Sequence, residues 1–217
     1  MRTLLYVDAA EKEGHGPSNS RAQEGGPRRQ PPRDRILDAA AEMFYRDGVR
    51  AVGVDAIIAA AGVAKASFYR HFRSKEDLVA EWLRSDHARW LDGVRAETEQ
   101  RASSPDERLV VFFDVVSEHV ATVGYAGCPY ISTAVELRER GGPLRKVITD
   151  FIGEVEAYLG SLAAAAGLRE PEHLGTQLRL LCGGFMTATA VVGSSDAQSE
   201  AARAAVRALV EAARSRL

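Results

Sequence analysis

The side chains best placed to do chemistry lie between Ala56 and Lys75, a stretch with no Asp or Glu in which Lys65, Arg70, Arg73 and Lys75 are cationic. Such a run suits a polyanion. Lys and Arg neutralise phosphates, and the short side chains of Ala66 and Ser67 would let a helix approach base edges in a DNA major groove. A net charge of -2 over 217 residues argues against a general attraction to nucleic acid, so any DNA affinity must come from this patch. The charge is unevenly spread: residues 33–78 carry eight Lys or Arg against seven Asp or Glu, and residues 79–217 carry fifteen against nineteen.

Two short helices must position these residues. Val54, Ile57, Ile58 and Ala61 recur at helical spacing and give the first helix one apolar face. Gly62 breaks it, since a glycine accepts the left-handed turn that a sharp corner needs, and Val63 plugs that corner. In the second helix Phe68 and Phe72, at i and i+4, share a buried face and leave Lys65, Ala66, Ser67, Tyr69, Arg70 and His71 outside. A preceding helix from Arg33 to Asp47, with Ile36, Leu37, Ala40, Met43 and Phe44 on one stripe, supplies the apolar surface that two such short helices lack.

The run AGVAKASFYRHFRSKEDL, from Ala61 to Leu78, resembles the DNA-binding signature of the TetR (tetracycline repressor) family, and the resemblance covers about 45 residues. Gly53 and Ala64 depart from it, standing where Ser or Thr is common, so a hydroxyl cap is missing at both positions. The resemblance implies DNA contacts by Lys65, Ala66, Ser67, Tyr69, Arg70, His71 and Lys75, with phosphates as the partners of Tyr69, His71 and Lys75. It further implies an all-α chain of about nine helices. An N-terminal three-helix helix-turn-helix domain (33–78) is joined by a long connector helix to a helical effector-binding and dimerisation domain (79–217). The implied function is a transcription regulator, a repressor that binds a palindromic double-stranded operator as a homodimer and leaves it when a small, largely apolar effector binds.

The punctuation of the remaining chain fits that plan. Residues 1–32, rich in Gly, Pro, Ser and charge, are expected to be a disordered tail whose Arg28 and Arg29, with Arg33 and Arg35, could reach a minor groove or simply be solvated. Ser74 and Asp77 start a helix that continues from Lys75 to Arg101, and Ser104, Pro105 and Glu107 start another expected to end at Gly124. Further helices start at Pro129, Pro143, Pro171 and after Ser195, with breaks at Gly141, Gly142, Gly167 and Gly193. No strand pattern appears.

Helices eight and nine are rich in Gly and Ala, which lets helices approach closely. A dimer surface of Leu178, Leu181, Gly184, Phe185, Ala188, Val206, Leu209 and Val210 is one reading; ordinary packing within the subunit is the other. Trp90, Phe112, Phe113, Val116, His119, Tyr130, Thr133, Leu137 and Phe151 could line an effector pocket with a few polar handles, or form plain core. A regulator without an effector remains a further alternative.

Other classes find little support. A helical enzyme would have to use Cys128 with His119, without a visible orienting residue or oxyanion site. His15, His71, His87, His119 and His173 lack ligand spacing, so no metal is expected, and no phosphate-cradling glycine motif suggests a cofactor. Two cysteines fit a reducing, cytoplasmic setting, and no apolar run reaches the ~20 residues of a membrane span.

Overall fold

A computed structural model describes residues 30–122, 125–137 and 142–214. The described residues form nine helices and no strand: α1 (Pro32–Asp47), α2 (Val54–Ala61), α3 (Lys65–His71), α4 (Lys75–Arg101), α5 (Pro105–Val120), α6 (Pro129–Leu137), α7 (Pro143–Ala165), α8 (Pro171–Val192) and α9 (Asp196–Ala213). The expected tail lies outside the described residues up to position 29, as do Gly124 and Gly141. Two compact units are evident, one ending at Leu78 and one beginning at Val79, so the division falls inside α4.

In the first unit, Ile36, Ala40 and Phe44 of α1 are buried with Ile57 and Ala61 of α2 and Phe68 of α3, a core small enough that each aromatic counts. Gly62 takes the left-handed conformation at φ 59° and ψ 43°, and Val63 N–H returns to the Ile58 carbonyl at 3.2 Å, closing the corner between α2 and α3. Arg35 fastens that corner to α1. Its Nη1 donates to the Ala61 carbonyl at 2.9 Å and to the Gly62 carbonyl at 3.2 Å, satisfying acceptors that the end of α2 leaves over. Arg33 stands over the Phe72 ring at 5.6 Å. These two arginines are therefore engaged within the unit, while Arg28 and Arg29 lie outside the described residues.

The second unit is built on the tight pairing of α7 with α8. A Cβ added at Gly175 would sit 2.8 Å from the Glu156 carbonyl oxygen and 2.8 Å from Gly160 N, so the two backbones meet where only glycine fits. Leu159, Ala163, Leu174 and Leu178 fill the adjoining core. On the other side α9 is tied to α5 by polar clamps: Ser117 Oγ to Ser199 Oγ at 2.7 Å, Arg203 Nε to Asp114 Oδ1 at 2.7 Å and Arg214 Nη2 to Asp106 Oδ2 at 2.8 Å. By contrast, α4 makes few close backbone approaches to other helices, and large side chains fill the interval.

Three expectations need correction. α5 stops at Val120 because Ala121 and Thr122 turn back onto it, Thr122 Oγ1 donating to the His119 carbonyl at 2.8 Å. Ser67 is buried, 7% exposed, instead of lying on the outer face. The reason is that α3 docks on both α1 and α2, so its inward arc is wide enough to take in the residue about 100° from Phe68. Among the proposed dimer residues, Leu178, Phe185, Val206 and Val210 are buried inside their own subunit, where α8 and α9 pack against each other and against α5.

Candidate nucleic-acid interface and interior aromatic layer

The outer face of α3 presents Lys65, Ala66, Tyr69, Arg70 and His71 to solvent, and Lys75, at the start of α4, is half-buried. Tyr69 is 49% exposed, an unusual outlay of aromatic surface unless something covers it; its ring stands edge-on to Phe68 at 5.2 Å, which fixes its direction. Neither Gly53 nor Ala64 supplies a side-chain cap to the helix it precedes, whereas Ser74 Oγ accepts from Asp77 N–H at 3.1 Å. One acid enters the face from α2. Lys65 Nζ donates to Asp55 Oδ1 at 3.0 Å, and this bond raises the lysine further above its ordinary range. Sequence reasoning passed over Asp55 because the acid-free run begins one residue after it.

Inside the second unit, the candidate effector residues divide into groups. Tyr130 stacks on Phe151 with centroids 3.7 Å apart, Trp90 lies 5.8 Å from Phe151, and Tyr130 donates its hydroxyl to the Leu83 carbonyl. Phe112 and Phe113 are buried on α5 at a centroid distance of 5.7 Å, beside the fully buried Val116. Thr133 is buried and Leu137 half-buried on α6. His119 instead meets Tyr125, at 5.8 Å, and burial pushes its imidazole down to about 4.

Four residues of this interior were not anticipated. His87 meets Phe151 edge-on at 4.8 Å and pairs with Glu154 at 3.2 Å; burial lowers its pKa, with Arg95 adding to the effect and Glu154 opposing it. Arg95 stands over the Tyr158 ring at 4.8 Å, and Phe112 lies 6.0 Å from the same ring. Thr98 is fully buried on α4. The available signal was the helical spacing of His87, Val94 and Thr98 along one stripe of α4, which an apolar-only reading of that helix overlooks.

Cys128 and Cys182 are both buried, and desolvation pushes their thiols up to about 11 and about 12. A thiol held protonated and an imidazole of low basicity, as at Cys128 and His119, are the reverse of an activated nucleophile and its base. On the outside of α8, Leu180 and Val191 are 57% and 78% exposed, and with Gly184, Thr187 and Ala188 they line a shallow open recess of about 580 Å³. This stripe, and not the buried Leu178, is the apolar surface that α8 leaves exposed.

Residues 36–82 match the model of bacterial regulatory proteins of the tetR family. A solved tetR transcriptional regulator from Streptomyces avermitilis is 31% identical and superposes with a TM-score of 0.75, over 85% of this chain and 98% of that one. The chain belongs to the tetR family. A second tetR-family regulator, from Streptomyces coelicolor, is 24% identical with a TM-score of 0.73 over 84% of this chain and 95% of that one, and supports the fold. Among curated relatives, the transcriptional repressor KstR2 of Mycolicibacterium smegmatis is 42% identical over 81 residues, 37% of this chain and 39% of that protein. The fatty acid metabolism regulator of Bacillus subtilis is 25% identical over 127 residues, 58% of this chain and 62% of that protein. The chain thus spans less than two thirds of the length of either curated relative. Along the tetR-family chain, the matched segment takes in α2 and α3 whole, so it includes the exposed face described above.

Proposed function

We propose that this tetR-family protein is a DNA-binding transcription regulator, a repressor that works as a homodimer and is released from a palindromic operator by a small ligand. The observation that carries the reading is the exposed face of α3, where Lys65, Tyr69, Arg70 and His71 project from a helix anchored by the buried Phe68. Cations and a hydroxyl there serve phosphates, and the small, exposed Ala66 leaves room for a base edge. Ser67, being buried, positions the helix more than it reads bases.

One such helix covers too few base pairs for specificity, so a two-fold dimer with half-sites about one helical turn apart, or a multiple of it, is the natural arrangement. The exposed stripe of Leu180, Gly184, Ala188 and Val191 on α8 supports a second copy of the chain as its cover, because long apolar side chains at helical spacing are costly to leave in water. The resemblance of part of the chain to a named repressor favours repression. No described helix is long and apolar enough to cross a membrane, and we place the protein in the cytoplasm with its DNA.

The deciding experiment is fluorescence anisotropy of the purified protein with DNA from around its own gene and with random DNA, at two salt concentrations. Tight, palindrome-dependent binding with a steep salt slope is expected. Equal affinity for both DNAs would remove the regulator reading. A second reading, a regulator without an effector, draws on the close stacking of Tyr130 on Phe151, which fills space a ligand would need; it predicts that no small molecule changes the anisotropy.

A further inference from the structure

The seam between α4 and α7 holds polar atoms that the fold leaves without partners. Arg95 Nε and Trp90 Nε1 are buried and make no hydrogen bond, and the buried Thr98 and Tyr158 hydroxyls have at most each other, with Thr98 0% exposed and Tyr158 9%. An unmade hydrogen bond on a buried group is costly, and two bare donors beside an isolated hydroxyl pair along one seam are hard to explain as packing accidents. Their identities set the sign of what would satisfy them. The indole N–H and the guanidinium N–H can only donate, and both hydroxyls can donate as well, so the missing partner is an acceptor.

Their arrangement gives the partner a shape. Arg95 lies over the Tyr158 ring at 4.8 Å; burial raises the Tyr158 pKa and keeps its hydroxyl a donor, and the Thr98 hydroxyl lies close enough to act on it. Arg95, Thr98 and Tyr158 therefore form one donor cluster, with Arg108 also acting on Tyr158 and Glu99 the opposing charge. Toward the start of α4 the seam turns apolar, where Trp90, Phe151 and Tyr130 stack in a layer with His87. We propose that this seam binds an elongated, largely apolar carboxylic acid, its carboxylate taken by Arg95, Thr98 and Tyr158 and its body lying along the Trp90 and Phe151 rings. This deepens, and rests on, the reading of the second unit as effector-binding.

The test uses phenylbutyrate, phenylbutanol and phenylbutylamine as probes of one shape with an anionic, neutral and cationic head. Binding is read by fluorescence of the two tryptophans, Trp82 and Trp90, and by release of the flanking DNA. Phenylbutyrate is expected to bind about tenfold or more tightly than the amine, the advantage of a charge-assisted pair, and Arg95→Gln to abolish the difference. Thr98→Val and Tyr158→Phe, each removing a hydroxyl whose one neighbour is the other, are expected to change the melting temperature without ligand by no more than a degree or two while weakening phenylbutyrate. A fall of several degrees in both would mean that the hydroxyls are already satisfied, and would overturn the proposal. Equal binding of the three heads, or no phenylbutyrate binding at millimolar concentration, would overturn it too. DNA release by the alcohol and the amine as readily as by the acid would remove the carboxylate and keep the effector, whereas failure to bind DNA at all would strike the regulator reading itself.

Discussion

Lys65 Nζ donates to Asp55 Oδ1 at 3.0 Å, linking the first turn of α2 to the first turn of α3. The two side chains are 63% and 82% exposed, so solvent and salt weaken the bond and a phosphate could displace it. If Lys65 meets a phosphate, as proposed above, Asp55 competes with DNA for it. A backbone phosphate anywhere along a duplex must first displace that carboxylate, which penalises non-specific contacts more than a site where other contacts are also made. The expected effect of Asp55→Asn is a gain of about three- to tenfold in affinity for random DNA, with a smaller gain on the operator. Anisotropy titrations on both DNAs check it; unchanged affinity on random DNA would show that the pair is irrelevant to binding.

Arg35 has a structural task that its charge conceals. Its guanidinium closes the end of α2 through the Ala61 and Gly62 carbonyls, and its stem crosses from α1 to the turn. Replacing it by Met keeps much of the stem and removes the donors. The expected cost is about 1–3 kcal/mol of stability, the range for hydrogen bonds from a charged group. Chemical denaturation followed by helical circular dichroism measures it. An Arg35→Met protein as stable as the parent but weak on DNA would return Arg35 to the role of a DNA-contacting arm.

His119 sets a direction for the pH dependence. Burial holds its pKa at about 4 against an ordinary 6.5, so between those values the unfolded chain binds more protons than the folded one. Its contribution to stability is therefore complete above pH 6.5 and is lost as the pH falls toward 4, by roughly 3 kcal/mol at most if the whole shift is realised. His87, also lowered by burial, pulls in the same direction. A His119→Gln protein should show a shallower loss of stability across that window than the parent. Parallel curves for the two would mean that the imidazole is better solvated than its burial suggests.

Legibility from sequence followed the range of the forces involved. Gly62, Ser74, Pro105 and Ser195 mark helix ends through local backbone chemistry, and the end of α2 and the starts of α4, α5 and α9 follow from them. The face of α3 was legible for the same reason, since Phe68 and Phe72 fix its inside; only Ser67, whose burial depends on two neighbouring helices at once, went astray. Tertiary partners were less accessible. Nothing in the spacing of Leu178 or Val206 distinguishes a surface shared with a second copy from one buried against α5 or α7, and both are 0% exposed. The polar line of Thr98 and Tyr158 was hidden for a similar reason, because residues on α4 and α7 become neighbours only in the folded unit.

Two glycines of α8 separate packing within the chain from packing between chains. At Gly175 an added Cβ would meet Glu156 O and Gly160 N at 2.8 Å and Gly160 Cα at 3.0 Å, all backbone atoms that cannot step aside cheaply. Gly175→Ala should therefore lower stability by about 1–3 kcal/mol, the usual scale of overpacking, whatever the oligomeric state. At Gly184, on the exposed stripe with Leu180 and Ala188, an added Cβ meets nothing within 4 Å. Gly184→Leu should consequently fold as well as the parent, with glycine's poor helix propensity relieved by up to about 1 kcal/mol. If a second copy covers the stripe, the same substitution wedges the two α8 helices apart, giving a monomer by light scattering and much weaker operator binding. A Gly184→Leu protein that remains dimeric would place the interface elsewhere, because the bulk of leucine has no room between two closely packed helices.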